Sequence, residues 1–229
     1  MPMRNDWTFK FRPNRPAISR RVTFEDAESH FLAKLNDPNG DQQAARRELV
    51  LLYRTTKRTT DALYYAEEYL THTTNLEART EMYFFMGQAM EHANDFESAT
   101  RFYLVAFELS PRNASYQYFI RNNIGFSLNQ LHRFVDAESF LREAIDIDPD
   151  RANGHKNLGL SLEGQRRYAE AARSFIAAVQ ANASDSRALK HLEELAKRQR
   201  ELYTEIPDLS YQINMCRQAV AFASNGRVN

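Results

Sequence analysis

Three stretches of this chain repeat one another, and that repetition restricts the fold more than any other feature. They are residues 83–111 (YFFMGQAMEHANDFESATRFYLVAFELSP), 121–149 (RNNIGFSLNQLHRFVDAESFLREAIDIDP) and 155–183 (HKNLGLSLEGQRRYAEAARSFIAAVQANA). Each carries a glycine (Gly87, Gly125, Gly159), an aromatic nine residues on (Phe96, Phe134, Tyr168) and an alanine twelve on (Ala99, Ala137, Ala171). A large residue follows at sixteen (Tyr103, Leu141, Phe175) and a second alanine at nineteen (Ala106, Ala144, Ala178). Pro111 and Pro149 close the first two stretches. Gly87 and Ala99 are small enough to let two helices approach closely, while Tyr83, Met90 and Tyr103 fill the layer between pairs. A proline after the second helix cannot continue it and starts the next one well.

This pattern resembles the tetratricopeptide repeat, a helix–turn–helix unit of about 34 residues. The glycines here are 38 and 34 residues apart. The four extra residues fall between Pro111 and Gly125, about one added helical turn. A fainter copy precedes, with Val50 at the glycine position, then Tyr53, Ala62 and Ala66; it departs from the pattern at the glycine and at the closing proline, where Thr74 stands. The resemblance implies an all-α fold, a right-handed α-solenoid of helix-turn-helix repeats with a C-terminal capping helix pair, stable only as a stack because each repeat exposes an apolar face its neighbour must cover. The chain then divides into a basic extended arm (1–22), a pre-repeat helix and turn (23–40), a degenerate repeat (41–77), three repeats (78–111, 112–149, 150–183) and capping helices (184–229).

Composition agrees. Gly and Pro number 7 each among 229 residues, about 6% against an average near 12%, which leaves little room for hairpins or Gly-rich phosphate loops. Lys+Arg and Asp+Glu are 30 each, an unlikely balance for a nucleic-acid coat, and no nucleic-acid partner is expected. Cys216 is the sole cysteine, so there is no disulfide framework and no cysteine zinc site. No run of about 18 apolar residues suggests a membrane span. The N-terminus lacks the apolar stretch of a secretory signal. A cytoplasmic location follows as the expectation. The six histidines never pair as HExxH, and there is no GxSxG, P-loop or GxGxxG. No enzyme, metal or cofactor is expected.

At the ends, residues 1–22 hold six Lys/Arg against Asp6, with Trp7, Phe9 and Phe11 alternating. Their +5 charge faces −7 over residues 61–100, which predicts docking near Glu67, Glu68, Glu77 and Glu81. Thr23 reads as the N-cap of a helix running to about Leu35. Ser184 reads as the cap of a helix carrying Leu189, Leu192, Leu195, Ala196 and Leu202, interrupted at Pro207. A last helix runs from about Asp208 to Ala223. Its stripe of Leu209, Ile213, Cys216 and Val220 can cap the stack, and Met215, Ala219 and Phe222 beside it form an apolar shoulder for weak self-association.

The resemblance also implies where a partner would lie. In this family the first helices line a concave groove that holds extended peptides. The corresponding positions are Glu81, Phe84, Phe85, Gln88, Glu91 and His92; Phe119, Asn122, Asn123, Phe126, Asn129 and Gln130; and Asn153, Lys156, Asn157, Leu160, Glu163 and Gly164. Asn123 and Asn157 stand where the family often anchors a peptide main chain, since an amide supplies both donor and acceptor. Their removal is expected to abolish partner capture without unfolding the stack. The clamp for chaperone C-terminal carboxylates is not matched: of Phe84, Gln88, Asn123, Asn153 and Asn157 only Asn123 fits it. The expected function is a non-enzymatic scaffold or adaptor, in the broad sense chaperone-like, for a protein or peptide partner. The alternative is a self-assembling structural protein, with a weak homodimer at its C-terminal end or its groove filled by another copy or by its own arm.

Overall fold

The computed structural model describes residues 23–225. The basic arm over residues 1–22 and its expected docking lie outside the described residues. Twelve helices and no strand occur among the described residues: α1 (Phe24–Leu35), α2 (Gln42–Thr55), α3 (Thr59–Thr71), α4 (Leu76–His92), α5 (Phe96–Glu108), α6 (Ala114–Gln130), α7 (Phe134–Ile147), α8 (Ala152–Gly164), α9 (Tyr168–Ala181), α10 (Arg187–Arg198), α11 (Leu202–Glu205) and α12 (Leu209–Asn225). They fall into two compact units, one ending at Asn94 and the other beginning at Asp95.

In the first unit, side-chain caps set the helix starts. Thr23 Oγ1 accepts from Asp26 N at 3.2 Å, Asp41 Oδ1 from Ala44 N at 2.9 Å and Asn75 Oδ1 from Ala78 N at 3.0 Å. The buried side chains Ala27, Phe31, Leu49, Leu52, Tyr53, Ala62 and Ala89 form one core drawn from α1 to α4. A polar knot locks α1 to it. The Tyr53 hydroxyl donates to Glu28 Oε1 at 2.7 Å, Arg58 Nη1 donates to the same oxygen at 2.8 Å, and the Arg58 guanidinium lies 4.6 Å from the Tyr53 ring centre. Burial, then the bond to Glu28, holds the Tyr53 hydroxyl protonated far above the ordinary tyrosine range.

The second unit shows what the repeating residues do. On α7, Ala137, Leu141 and Ala144 are fully buried; on α9, Ala171, Phe175 and Ala178 are too. Each triplet is spaced four and then three residues, so it forms one row on one helix face. The row presents its large side chain to the glycine of the preceding helix. A Cβ on Gly125 would stand 2.4 Å from Leu141 Cγ, and one on Gly159 would stand 2.5 Å from the Phe175 ring. Only glycine admits that approach. The four extra residues before Gly125 appear as one more turn, α6 having 17 residues and α8 having 13.

The turns repeat as faithfully as the helices. Lys57, Asn94, His132 and Arg166 end their helices with φ of 60°, 59°, 57° and 61°, although no glycine stands there and the left-handed conformation costs about 1–2 kcal/mol. The next amide compensates by reaching back five residues in the Schellman pattern: Arg58 N to Tyr53 O at 2.8 Å, Arg133 N to Leu128 O and Arg167 N to Leu162 O at 2.9 Å. The same three arginines stand at the starts of α3, α7 and α9, where no side chain caps the helix, and bind the acid three residues on: Asp61 at 2.7 Å, Asp136 at 2.8 Å and Glu170 at 2.8 Å.

At the C-terminal end α10 and α12 pack on α9. Leu189, Leu192, Leu195 and Ala196 are buried, as are Leu209, Ile213 and Cys216. Burial pushes the Cys216 thiol above its usual range. Two expectations are corrected. The cap is not Ser184: the N-cap position is Ser186, with no side-chain cap bond, and Asp185 Oδ1 just before it accepts from Arg187 N at 3.0 Å. Leu202 does not continue α10, because the backbone turns extended at Gln199, with ψ of 81°, and Leu202 opens the one-turn α11. No helix among the described residues is long and apolar enough to cross a membrane.

The glycine contact yields a test. Alanine is the better helix former by about 1 kcal/mol, but overpacking a filled core costs about 1–3 kcal/mol. Gly159→Ala is expected to lower stability by up to about 2 kcal/mol, read as a lower urea midpoint. A raised midpoint would show that Phe175 yields without cost.

Candidate functional site

The asparagines singled out as peptide anchors are engaged inside the protein. Asn157 Nδ2 donates to Asn122 Oδ1 at 3.1 Å, Asn122 Nδ2 to Asn123 Oδ1 at 3.0 Å, and Asn123 Nδ2 to the Tyr103 hydroxyl at 3.2 Å. Asn129 Nδ2 adds a bond to the Asn157 carbonyl at 2.9 Å. The four amides thus tie α8 to α6 and α6 to α5. Asn122, Asn129 and Asn157 are buried and Asn123 half-buried. Asn123 and Asn157, expected as free anchors for a partner main chain, are thus engaged in bonds between the helices of the stack.

The phenylalanines do not form an exposed patch either. Phe84 and Phe85 are buried. Arg54 lies 5.0 Å from the Phe85 ring centre and donates from Nη1 to Gln88 Oε1 at 2.5 Å, so Gln88 is occupied too. Phe119 sits under Arg151, whose guanidinium is 4.6 Å from its ring centre and 5.0 Å from that of Tyr118. Phe126 meets Phe96 edge to face at 6.0 Å. Glu81, expected to receive the arm, accepts both Nε and Nη2 of Arg47 at 2.7 Å. Asn153 is exposed, and Lys156 and Leu160 are half-buried.

An open cavity of about 530 Å³ gathers the positions four and five residues after Gly125 and Gly159. Asn129 and Gln130 reach it from the end of α6, and Leu160, Glu163 and Gly164 from α8. His132, Phe134, Tyr168, His191 and Arg198 complete the wall. Arg198 forms an ion pair with Glu163. Gly164 lets Phe134 close against α8, since a Cβ there would meet the ring at 2.5 Å. Ser161 Oγ and Gln165 Nε2 both donate to the Phe134 carbonyl, at 2.5 and 3.3 Å, fixing the start of α7 beside it. Asn129 Oδ1 is buried with no hydrogen-bond partner among the described residues, so one lining side chain keeps an unused acceptor. The second-helix and α10 residues of this wall were missed in the sequence, because the groove pattern runs only along first helices.

Lys156, one turn before Leu160 on α8, makes no hydrogen bond or ion pair among the described residues. Burial, then the charge of Arg187, lowers its pKa, while Asp185 opposes the shift. Asp185 is itself engaged by Arg187, whose Nη2 reaches Oδ2 at 2.5 Å. That bond and the Arg187 amide hold the Asp185 carboxyl down at about 2. No group of three or more His, Cys, Asp or Glu able to hold a metal occurs among the described residues.

The repeat spacing, the glycine contacts and the recurring turns are those of tetratricopeptide helix pairs, and the chain is an all-α solenoid of such repeats. Solved structures share the fold. A MamA double mutant (RS-1 ArsTM) superposes with a TM-score of 0.64 at 18% identity, over 82% of this chain and 98% of that one. MamA from Desulfovibrio magneticus RS-1 gives 0.63 at 18% identity, over 79% and 96%. In sequence the chain is similar to the protein O-mannosyl-transferase Tmtc3 of Drosophila melanogaster, 27% identical over 139 residues, which are 61% of this chain and 13% of that protein. No protein-family model matches the chain.

Two tests follow from the site. Asn157→Ala strips Asn122 Oδ1 of its donor, and a buried unpaired group costs about 1–3 kcal/mol. Chemical unfolding should show that loss, whereas Asn153→Ala, at an exposed position, should stay within about 0.5 kcal/mol of the parent. Asp185 has a folded pKa below the roughly 3.9 of an unfolded aspartate. Its contribution is therefore present above about pH 4 and is lost as pH falls toward 2. Asp185→Asn should flatten the stability–pH curve between those limits, and an unchanged slope would remove Asp185 from the account.

Proposed function

We propose that the protein is a non-catalytic scaffold that holds an extended segment of a partner protein along α6, α8 and α10, with one partner side chain seated in the cavity. The observation that carries this is the cavity itself. It is an open depression of about 530 Å³ whose lining mixes apolar side chains with polar and charged groups. Leu160 and Phe134 supply the apolar area, and the Glu163–Arg198 pair supplies orientation.

Lys156 gives the groove a character. An ammonium half-removed from water without an acceptor is destabilised, and a carboxylate from the partner relieves that cost. The favoured partner segment therefore combines an apolar side chain with an acidic one. The amide chain through Asn122, Asn123 and Asn157 serves a different purpose, holding the first helices at the spacing that opens the cavity. The similarity to Tmtc3 covers a small part of that enzyme, and its transferase name belongs to that protein; nothing in the cavity assembles a nucleophile with a base.

Selection of random peptides on the immobilised full chain tests this. Peptides enriched on the parent should bind Leu160→Arg at least tenfold more weakly, with helicity unchanged. Lys156→Met should weaken selectively those peptides that carry Asp or Glu. Equal affinity for parent and Leu160→Arg would overturn the cavity as the binding site.

A further inference from the structure

The last helix has two apolar faces. Leu209, Ile213 and Cys216 point into the unit and are buried. On the opposite side Tyr211, Met215 and Phe222 are 63%, 45% and 84% exposed. At 100° per residue Tyr211, Met215, Gln218 and Phe222 fall within a strip about 60° wide. Met215, Ala219 and Phe222 were expected to flank the buried stripe; Met215 and Phe222 lie across the helix from it, and Tyr211 extends their row. Ala219 is exposed at its edge. No charged residue stands in the row, and Arg217, the one charge in residues 209–225, is drawn aside to Glu193 at 2.6 Å.

A terminal helix in a repeat stack needs a polar outer face, and a helix apolar on both sides belongs in the interior of an assembly. The composition of this row, with Tyr, Met and Phe and no charge, is that of an interface core. Because it is uncharged, the row meets no repulsion when laid against its own copy, which is the requirement of a twofold contact. Antiparallel placement also sets each helix N-terminus beside the other's C-terminus, so the two helix dipoles attract. We propose that two copies of this chain pair through α12, antiparallel about a twofold axis, with Tyr211 against the partner subunit's Phe222 and Met215 against the partner subunit's Gln218.

The area bounds the strength. Aromatic side chains cover about 150–250 Å² each, so the exposed fractions here amount to about 400 Å² per protomer. The resulting total of about 800 Å² is below the roughly 1,200–2,000 Å² of stable complexes. The dimer is reversible and concentration-dependent. It leaves the cavity between α6, α8 and α10 free, and its test is independent of any groove ligand.

Sedimentation of the full chain from micromolar to millimolar concentration decides the matter. The parent should shift from monomer to dimer across the series. Tyr211→Lys and Phe222→Glu, each with helicity retained, should each weaken association at least tenfold. In the antiparallel register an equimolar mixture of the two variants sets Lys against Glu on one side and the native pair on the other, so it should associate more tightly than either variant alone. A parent that stays monomeric throughout overturns the interface, including the case in which residues 1–22 of the same chain cover the row. A mixture no tighter than its components overturns the antiparallel register.

Discussion

The contact between a glycine and the large residue sixteen positions later is the interaction on which the second unit depends. Gly125 receives Leu141 and Gly159 receives Phe175, each so closely that no other residue fits. Because the receiving helix has no Cβ at that point, the two helices of a pair come close enough for the flanking alanines to be fully buried as well. Apolar burial of this kind is worth about 25 cal/mol per Å², and the contact occurs in both the α6–α7 and the α8–α9 pair. The turn between the helices, though strained at His132 and Arg166, is held in place by the packing that this contact creates.

Packing between successive pairs in the second unit includes polar groups. Asn122, Asn123, Asn129 and Asn157 run as a bonded series from α8 to α5. Asn122 and Asn123 both donate and accept, so the series crosses two helix interfaces, while the Oδ1 atoms of Asn129 and Asn157 are buried without a partner among the described residues. The Tyr118 hydroxyl accepting from Gly154 N at 2.9 Å makes a parallel link between α6 and α8. On the outer side, Glu138 gathers Arg142, Arg167 and Gln165, and these bonds draw its carboxyl below the ordinary range even though burial acts the other way. Directional bonds of this kind set the spacing of the first helices, and that spacing opens the cavity.

Structural bonds and cavity lining are thus divided along α6 and α8. The middle of α6 and α8 is committed to structure through the asparagines, while their C-terminal ends, with α10, line the cavity. Lys156 is the exception near the start of α8, a cation held without an acceptor. The outward row of α12 is a second exposed surface, and its residues contribute nothing to the buried face of that helix.

The repeating glycine, alanine and large residues were legible in the sequence because they answer a local requirement: two adjacent helices close in the chain must approach, and only certain sizes permit it. The helix pairs, the added turn on α6 and the buried stripe of α12 follow from that periodicity. The side-chain assignments that depend on which helix lies next to which were decided by tertiary structure alone. Asn123 and Asn157 occupy positions that can face a groove, yet Asn157 donates to Asn122 across the α6–α8 contact, while Asn123 accepts from Asn122 and donates to Tyr103 on α5. Phe119 has the pattern of an exposed anchor, and Arg151, thirty-two residues on, covers it. Tyr211 and Met215 lie on the outer row only because the opposite row is claimed by α9 and α10. Periodicity specifies a face; what that face meets is set by the packing of segments distant in the chain.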